Sequence, residues 1–452
     1  MLKVKDIINI CNAKLLQGDL ETLCFNFCKD TRIIEKNDVY VGIKGNNFDG
    51  NDFYIDAIEK GASVCILDKI VNIPKLYSDA TVILVEDSIK CLQELARYKI
   101  SNFNGKVIAI TGSVGKTSTK DMVYSVVNTK YKTLRTIGNN NNHIGLPLTI
   151  LKHKDEEVMI LEMGMNNFGE ISLLTNIAKP DIAIITNVGT AHIGNLGSRE
   201  NILKAKLEII EGLKDNGKLI INNDNDMLHK YYVENNKNNI VTVGIDNDSK
   251  YMANNINYTE DGVIFNVDGN EISVNVSSNV FVYNSLVAYA VGKELGIEEN
   301  LIRDGIKNFV LTKNRLDIKT NKKGVTIIDD SYNASFDSIK ASLEMLRNRK
   351  EQRKLAVLGD ILELGDYSIQ IHKSLANEVI NANIDILITV GNDIKYLISE
   401  LLDKGYSKEI YHFSKYDETY ELLDNILEEG DVILLKASHG IKLTEVVNHL
   451  MK

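Results

Sequence analysis

The chain has 452 residues, 44% of them hydrophobic and 25% charged, with a formal net charge of −10. That length divides into two to four units of roughly 100–200 residues each, and the composition excludes disordered, collagenous and membrane-embedded classes. The acidic balance argues against nucleic acid or a membrane surface as partner, while small anions remain within reach of local cations and backbone donors.

The segment MLKVKDIINICNAKL carries charges throughout and no sustained apolar core. No secretion signal is therefore expected, and the expected compartment is the cytoplasm. All five cysteines (Cys11, Cys24, Cys28, Cys65, Cys91) fall within the first 91 residues. Cys24 and Cys28 lack the second pair of a zinc site, so reduced and mostly buried thiols are expected. Up to residue 101, short apolar runs (Val39–Ile43, Ser63–Leu67, Thr81–Glu86) alternate with helical stretches (Phe53–Lys60, Ser88–Ser101). This predicts a small α/β unit, 1–101, around a turn-rich centre that begins at Lys44.

A second unit, 102–312, opens with the apolar run Lys106–Ile110. Further apolar runs at Val158–Glu162, Ile182–Thr186 and Lys218–Asn222, separated by helical segments, predict a mostly parallel sheet covered on both faces. From Lys250 to Val276 the pattern alternates, with turns at Asp261-Gly262 and Asp268-Gly269, which predicts an antiparallel addition. The run Ile272–Gly292 is charge-free but contains three asparagines and four serines, so it reads as a strand and a buried helix instead of a membrane span. Helices are predicted at Asn284–Leu295 and Glu298–Phe309. A third unit, 313–452, repeats the βαβ pattern with strands at Gly324–Asp329, Leu355–Leu358, Ile386–Val390 and Asp431–Leu435, a Rossmann-like α/β arrangement.

The sharpest local signal is Thr111-Gly112-Ser113-Val114-Gly115-Lys116-Thr117-Ser118, placed between an apolar strand and a helix. Glycines there let backbone N–H groups converge on phosphate oxygens at a helix N-terminus. Lys116 would reach the β/γ-phosphates and the Thr117 hydroxyl would hold Mg²⁺. Ile110 stands where the full pattern has its first glycine. The string Asn321-Lys322-Lys323-Gly324 lacks the aspartate of a guanine-selecting motif, which weakens a GTPase reading. Glu162, Asn187 and His192 lie at or just beyond predicted C-terminal strand ends, where open parallel sheets bind ligands. Glu162, His192 and Thr117 could together hold a divalent metal. The string from Gly138 through Asn139 and Asn142 to His143 suits recognition of a sugar or peptide, or is an ordinary solvated turn.

Other strings accompany these in order: Asp30-Thr31-Arg32, Lys44-Gly45-Asn46-Asn47-Phe48-Asp49, Ala205-Lys206-Leu207-Glu208, Asp329-Asp330-Ser331-Tyr332-Asn333-Ala334 and Gly359-Asp360-Ile361-Leu362-Glu363. Together, from about residue 28 to residue 447, they resemble the Mur ligases, ATP-dependent amide-forming enzymes of peptidoglycan precursor synthesis. The resemblance implies that D-alanyl-D-alanine is joined to the terminal carboxylate of a UDP-N-acetylmuramoyl-tripeptide through an acyl phosphate. It implies that Asp30, Thr31, Arg32, Lys44, Gly45, Asn47 and Asp49 contact the UDP end, with Asn139, Asn142, Tyr332 and Asn333 also on the substrate side. Lys116, Glu162, Asn187 and His192 would surround ATP and Mg²⁺. Lys206 matches a lysine that is carbamylated to become a metal ligand, and Asn284, Arg315 and Asp330 match nucleotide contacts. A monomer is expected, with a third unit that swings over the second and stands open without ligands.

Several positions depart from the family pattern. Tyr283 stands where a histidine often precedes Asn284, Asn314 replaces a glycine, and Phe336 and His439 replace a proline and an arginine. The alternatives are a sister ligase for another amino acid, a folylpolyglutamate-type ligase, and a nucleotide-gated binding protein without ligase activity.

Overall fold

The computed structural model describes all residues except 1, 236–237, 260–261, 312–314 and 352. Asp261, Asn314 and the expected 312/313 boundary lie outside the described residues.

In the N-terminal part, Val39–Val41, Val64–Leu67 and Thr81–Leu84 form the parallel centre of a five-stranded sheet, with Lys14–Gln17 antiparallel on one edge. Helix α1 (Val4–Cys11) packs against helix α2 (Ser88–Ser101) over this sheet. Asp87 caps α2 by accepting from the Ile89 and Lys90 amides, two donors that the helix itself cannot satisfy.

The central sheet has seven parallel strands in the order Tyr251–Met252, Ile240–Gly244, Lys218–Asn222, Ile182–Ile185, Lys106–Thr111, Val158–Glu162, Thr133–Arg135. Apart from exposed Lys106 its middle strands are buried throughout, which is why they read as apolar runs. Helix α3 (Lys116–Val127) follows the first of them, and α4 (Gly145–Leu151) follows the asparagine string. Helix α5 (Arg199–Leu207) lies beyond the Ile182–Ile185 strand. The antiparallel addition comprises Asn254–Thr259, Gly262–Val267 and Asn270–Val274. Helix α6 (Asn279–Glu294) is buried along most of its length and packs on α3. It begins five residues before the expected Asn284, because the Ser278 hydroxyl accepts from the Val280 amide at its start.

The third part is a six-stranded sheet ordered Asp317–Thr320, Thr326–Asp329, Val432–Lys436, Lys354–Gly359, Ile386–Val390, Glu409–Phe413, parallel except for its first strand. Helix α7 (Phe336–Arg347) covers one face. This part is docked on the central one. The Thr190 amide donates to Asp337 Oδ2 at 3.1 Å, and the Gly194 amide donates to the Glu363 carbonyl at 3.3 Å. A β-carbon at Gly194 would lie 2.6 Å from that carbonyl oxygen, so only glycine permits this approach.

Candidate active site

The parallel sheet delivers Thr111 to the start of a tight loop. Gly112 has φ +155, and a β-carbon there would lie 1.9 Å from Thr186 Oγ1, so glycine is required for the chain to pass the neighbouring strand. Asn187 braces the loop: its carbonyl accepts from the Ser113 amide at 3.1 Å and its Oδ1 accepts from the Val114 amide at 2.8 Å. Gly115, at φ +81, begins α3 with no side-chain cap, leaving first-turn N–H groups open to an anion. Lys116 curls back so that Nζ donates to the Gly112 carbonyl at 2.7 Å. Burial pushes its pKa below the ordinary lysine value, against the pull of Glu162.

Beside the loop, Glu162 is 2% exposed at the end of its strand. Oε1 accepts from Asn141 Nδ2 at 2.9 Å, and Oε2 has no hydrogen-bond partner among the described residues. Lys120 Nζ stands 3.8 Å from Oε2, too far to satisfy it. His192 occupies left-handed backbone at φ +63, a conformation that a histidine holds only when its surroundings impose it. Its Nδ1 lies 2.8 Å from Glu363 Oε2 but out of hydrogen-bonding alignment. Burial lowers the pKa of His192, assisted by the positive charge of Lys116, which favours a neutral imidazole. Lys206, on α5, is 1% exposed, and burial drives its amine well below the ordinary lysine range, with Lys116 adding repulsion.

The third part closes the far wall of a cleft of about 450 Å³. Arg315 stacks its guanidinium 4.3 Å from the Tyr332 ring centre, and the Asn333 Oδ1 accepts from the His439 amide at 3.4 Å. Asp330 Oδ2 accepts from Ser342 Oγ at 2.6 Å and pairs with the buried ammonium of Lys436. Burial lowers the Lys436 pKa, opposed by Asp330.

Of the residues expected from the sequence, Ser113 to Ser118, Asn139, Asn142, Glu162, His192, Arg315, Asp330, Tyr332 and Asn333 share this cleft. Thr111 is fully buried and its hydroxyl donates to the Met163 carbonyl. Asn284 lies behind α3, where Oδ1 accepts from Thr119 Oγ1 at 2.8 Å and Nδ2 has no partner among the described residues. Asn142 Oδ1 accepts from the Ile144 and Gly145 amides at the start of α4. The first-unit residues lie apart from the cleft. Asp30 holds the guanidinium of exposed Arg32 in two hydrogen bonds, the backbones of Lys44 and Asp49 pair antiparallel across a turn, and Asp49 Oδ1 accepts from Asn51.

Asn141, Lys436, Lys120 and Glu363 are cleft neighbours that the sequence did not single out. Lys436 had one signal: a charge closing the apolar run Val432–Lys436. Asn141 sat among four equivalent amides, and only the fold shows which of them faces Glu162. The donor set fits a hard divalent cation. An orphaned, buried carboxylate oxygen, a threonine hydroxyl in the first turn of α3 and a neutral imidazole leave room for phosphate oxygens to complete the shell. No three His, Cys, Asp or Glu side chains among the described residues are placed to hold a metal ion by themselves.

A glycine-rich strand-to-helix loop on a parallel sheet, with a third α/β part docked across it, is the arrangement of a nucleotide-using enzyme. Comparison with known proteins narrows this. Residues 29–100 match the model of the Mur ligase family catalytic domain, 110–292 the Mur ligase middle domain, and 314–439 the Mur ligase glutamate ligase domain. The UDP-N-acetylmuramoyl-tripeptide–D-alanyl-D-alanine ligase of Bacillus subtilis is 37% identical over 99% of this chain and 98% of its own. Among solved structures, MurF from Acinetobacter baumannii superposes with a TM-score of 0.89 at 26% identity, covering 99% of this chain and 98% of that one. MurF ligase from Thermotoga maritima in complex with ADP gives 0.81 at 30% identity, covering 94% and 97%. The chain belongs to the Mur ligase family, and with it to the ATP-dependent ligases. The expected three-part α/β fold is borne out by the sheets described above and by these superpositions.

Proposed function

We propose that this protein uses ATP to join D-alanyl-D-alanine to the terminal carboxylate of UDP-N-acetylmuramoyl-tripeptide, releasing ADP and phosphate. The observation that carries the reading is likeness over nearly the full length of both chains to a relative so named. We assign residues 1–101 to the UDP end, 102–312 to ATP and 313–452 to closure, in a monomer that works in the cytoplasm. No helix among the described residues is long and apolar enough to cross a membrane.

A carboxylate is a poor acyl donor because its leaving group would be oxide. Phosphoryl transfer solves this: the carboxylate oxygen bonds to the γ-phosphorus as the bond to ADP breaks. The amine of D-alanyl-D-alanine then attacks the acyl carbon, a C–N bond forms, phosphate leaves and the amine loses its proton. The amides at the start of α3 and Lys116 would cradle the phosphates. Thr117, Glu162, His192 and a carbamylated Lys206 would hold magnesium, which when bound neutralises phosphate charge. The depressed pKa of Lys206 supports this reading, since only a neutral amine adds to carbon dioxide, with loss of a proton, to give a carbamate. Asp30, Thr31, Arg32, Lys44, Gly45, Asn47 and Asp49 would bind the UDP end. Asn139, Asn142, Tyr332 and Asn333 would face the peptide, and Asn284, Arg315 and Asp330 the nucleoside. Docking of the third part would exclude water from the acyl phosphate.

The test is phosphate release measured with ATP, UDP-N-acetylmuramoyl-tripeptide and D-alanyl-D-alanine, each omitted in turn. Release is expected only with all three. Equal release with another amino acid in place of the dipeptide would overturn the assignment. Tripeptides ending in L-lysine and in meso-diaminopimelate, compared in the same assay, identify the third residue.

A further inference from the structure

Two of the five cysteines stand apart from the rest. Cys24, Cys28 and Cys65 each turn their sulfur toward a backbone carbonyl, of Thr22, Asp30 and Tyr54 respectively. Cys11 and Cys91 meet each other instead: their Sγ atoms lie 2.7 Å apart, against about 2.05 Å in a formed disulfide, and the Cys11 thiol also donates to the Cys91 carbonyl at 3.6 Å. Cys11 is the last residue of α1 and is partly exposed, whereas Cys91 lies in the first turn of α2 and is 3% exposed. The two helices are packed on one another by a shared apolar core, which holds the two sulfurs side by side.

We propose that Cys11 and Cys91 form a dithiol site that reacts with low-molecular-weight disulfides and closes to an intramolecular disulfide joining α1 to α2. The Cys11 thiolate attacks one sulfur of the small disulfide, forming a mixed disulfide and expelling one thiol. Cys91 then gives its proton to water and attacks the Cys11 sulfur, breaking the mixed disulfide and expelling the second thiol. Two protein thiols are oxidised and one small disulfide is reduced to two thiols. The order follows from the surroundings, because the adjacent Cys11 sulfur and burial hold the Cys91 thiol in its protonated form, whereas Cys11 is partly exposed.

The position gives the bond a lever on the rest of the molecule. Two residues beyond Cys91, Gln93 Nε2 donates to the His143 carbonyl at 3.1 Å. That carbonyl ends the asparagine string, whose Asn141 holds Glu162. The helix that would be tethered therefore also supports the loop feeding the cleft.

The full-length protein is incubated under native conditions with oxidised glutathione, quenched with N-ethylmaleimide and digested without reduction for peptide mass spectrometry. Expected is a Cys11–Cys91 cross-linked peptide, loss of two of the five titratable thiols, no retained glutathione, and full reversal by dithiothreitol. Cys91→Ser is expected to retain one glutathione on Cys11. Cys11→Ser, at the partly exposed position and so least disruptive to the fold, is expected to give neither cross-link nor adduct at Cys91. A wild-type chain that stops at a Cys11 mixed disulfide, cross-links a different pair, or keeps all its thiols under excess oxidant overturns the proposal.

Discussion

Asn141 gives its side-chain amide hydrogen to one oxygen of Glu162 at 2.9 Å, while the other oxygen of that nearly buried carboxylate has no hydrogen-bond partner among the described residues. Leaving a buried charged oxygen without a hydrogen bond costs more than about 1–3 kcal/mol, and Lys120 at 3.8 Å offsets that only in part, so a closer cation would be favoured there. Asn141 fixes which oxygen is left free. Asn141→Ala should therefore raise the magnesium concentration for half-maximal ligation by about 10-fold or more, the scale on which partners behind a metal ligand act. Ligation rates measured across a magnesium series check this, and an unchanged midpoint removes Asn141 from the role.

Lys116 is tied to the loop carbonyl of Gly112 and contributes little to the apolar core. Lys116→Ala should abolish ligation while changing unfolding free energy by less than about 1 kcal/mol. Turnover and urea unfolding of the same preparation give both numbers. Retained turnover would sink the phosphate-loop assignment.

Lys206 combines a folded-state pKa well below the ordinary value with near-complete burial. Between that depressed value and the unfolded value of about 10.4, the unfolded chain binds more protons than the folded one, so this group makes stability rise with pH and subtracts from it at neutrality. In carbon dioxide-free buffer, Lys206→Met should be inactive yet more stable at pH 7 than the parent, because no buried amine then has to give up a proton on folding. Its stability should also climb less steeply from pH 7 to 9. Urea midpoints at the two pH values decide it, and a slope equal to that of the parent would refute the assignment.

His192 is held neutral by burial, as a metal ligand must be, and sits in backbone that histidine disfavours. His192→Ala should demand more magnesium without losing nucleotide binding. Isothermal titration with an ATP analogue at low and high magnesium separates the two, and an identical magnesium dependence would take His192 out of the metal shell.

The third part touches the central one through Thr190 and Asp337 and through Gly194 and Glu363. Small-angle scattering should show a larger radius for the ligand-free protein than for its complex with an ATP analogue and the UDP-linked substrate. Asp337→Ala should leave the complex partly open. Profiles unchanged by ligand would end the closure argument.

How much was legible depended on burial. Strands covered on both faces, such as Val158–Glu162 and Ile182–Ile185, declare themselves as apolar runs. Thr133–Arg135, Asp317–Thr320 and Glu409–Phe413 are sheet edges, where solvent admits polar residues and dilutes the pattern. The phosphate loop was legible because its glycines and lysine are adjacent in sequence. Lys206 was legible only through family likeness, since a helix lysine carries no local mark of burial. The ion pair of Asp330 with Lys436 joins the residue just past the strand Thr326–Asp329 to the last residue of the strand Val432–Lys436, and no local spacing announces it.

Gly194 meets the carbonyl of Glu363 with no room for a methyl group. A single carbon added there would act as a doorstop, leaving the phosphate loop intact while keeping the third part from seating. Such a variant would still take up ATP and stall before amide formation, so nucleotide loading and bond formation could be uncoupled by a residue that carries no side chain of its own.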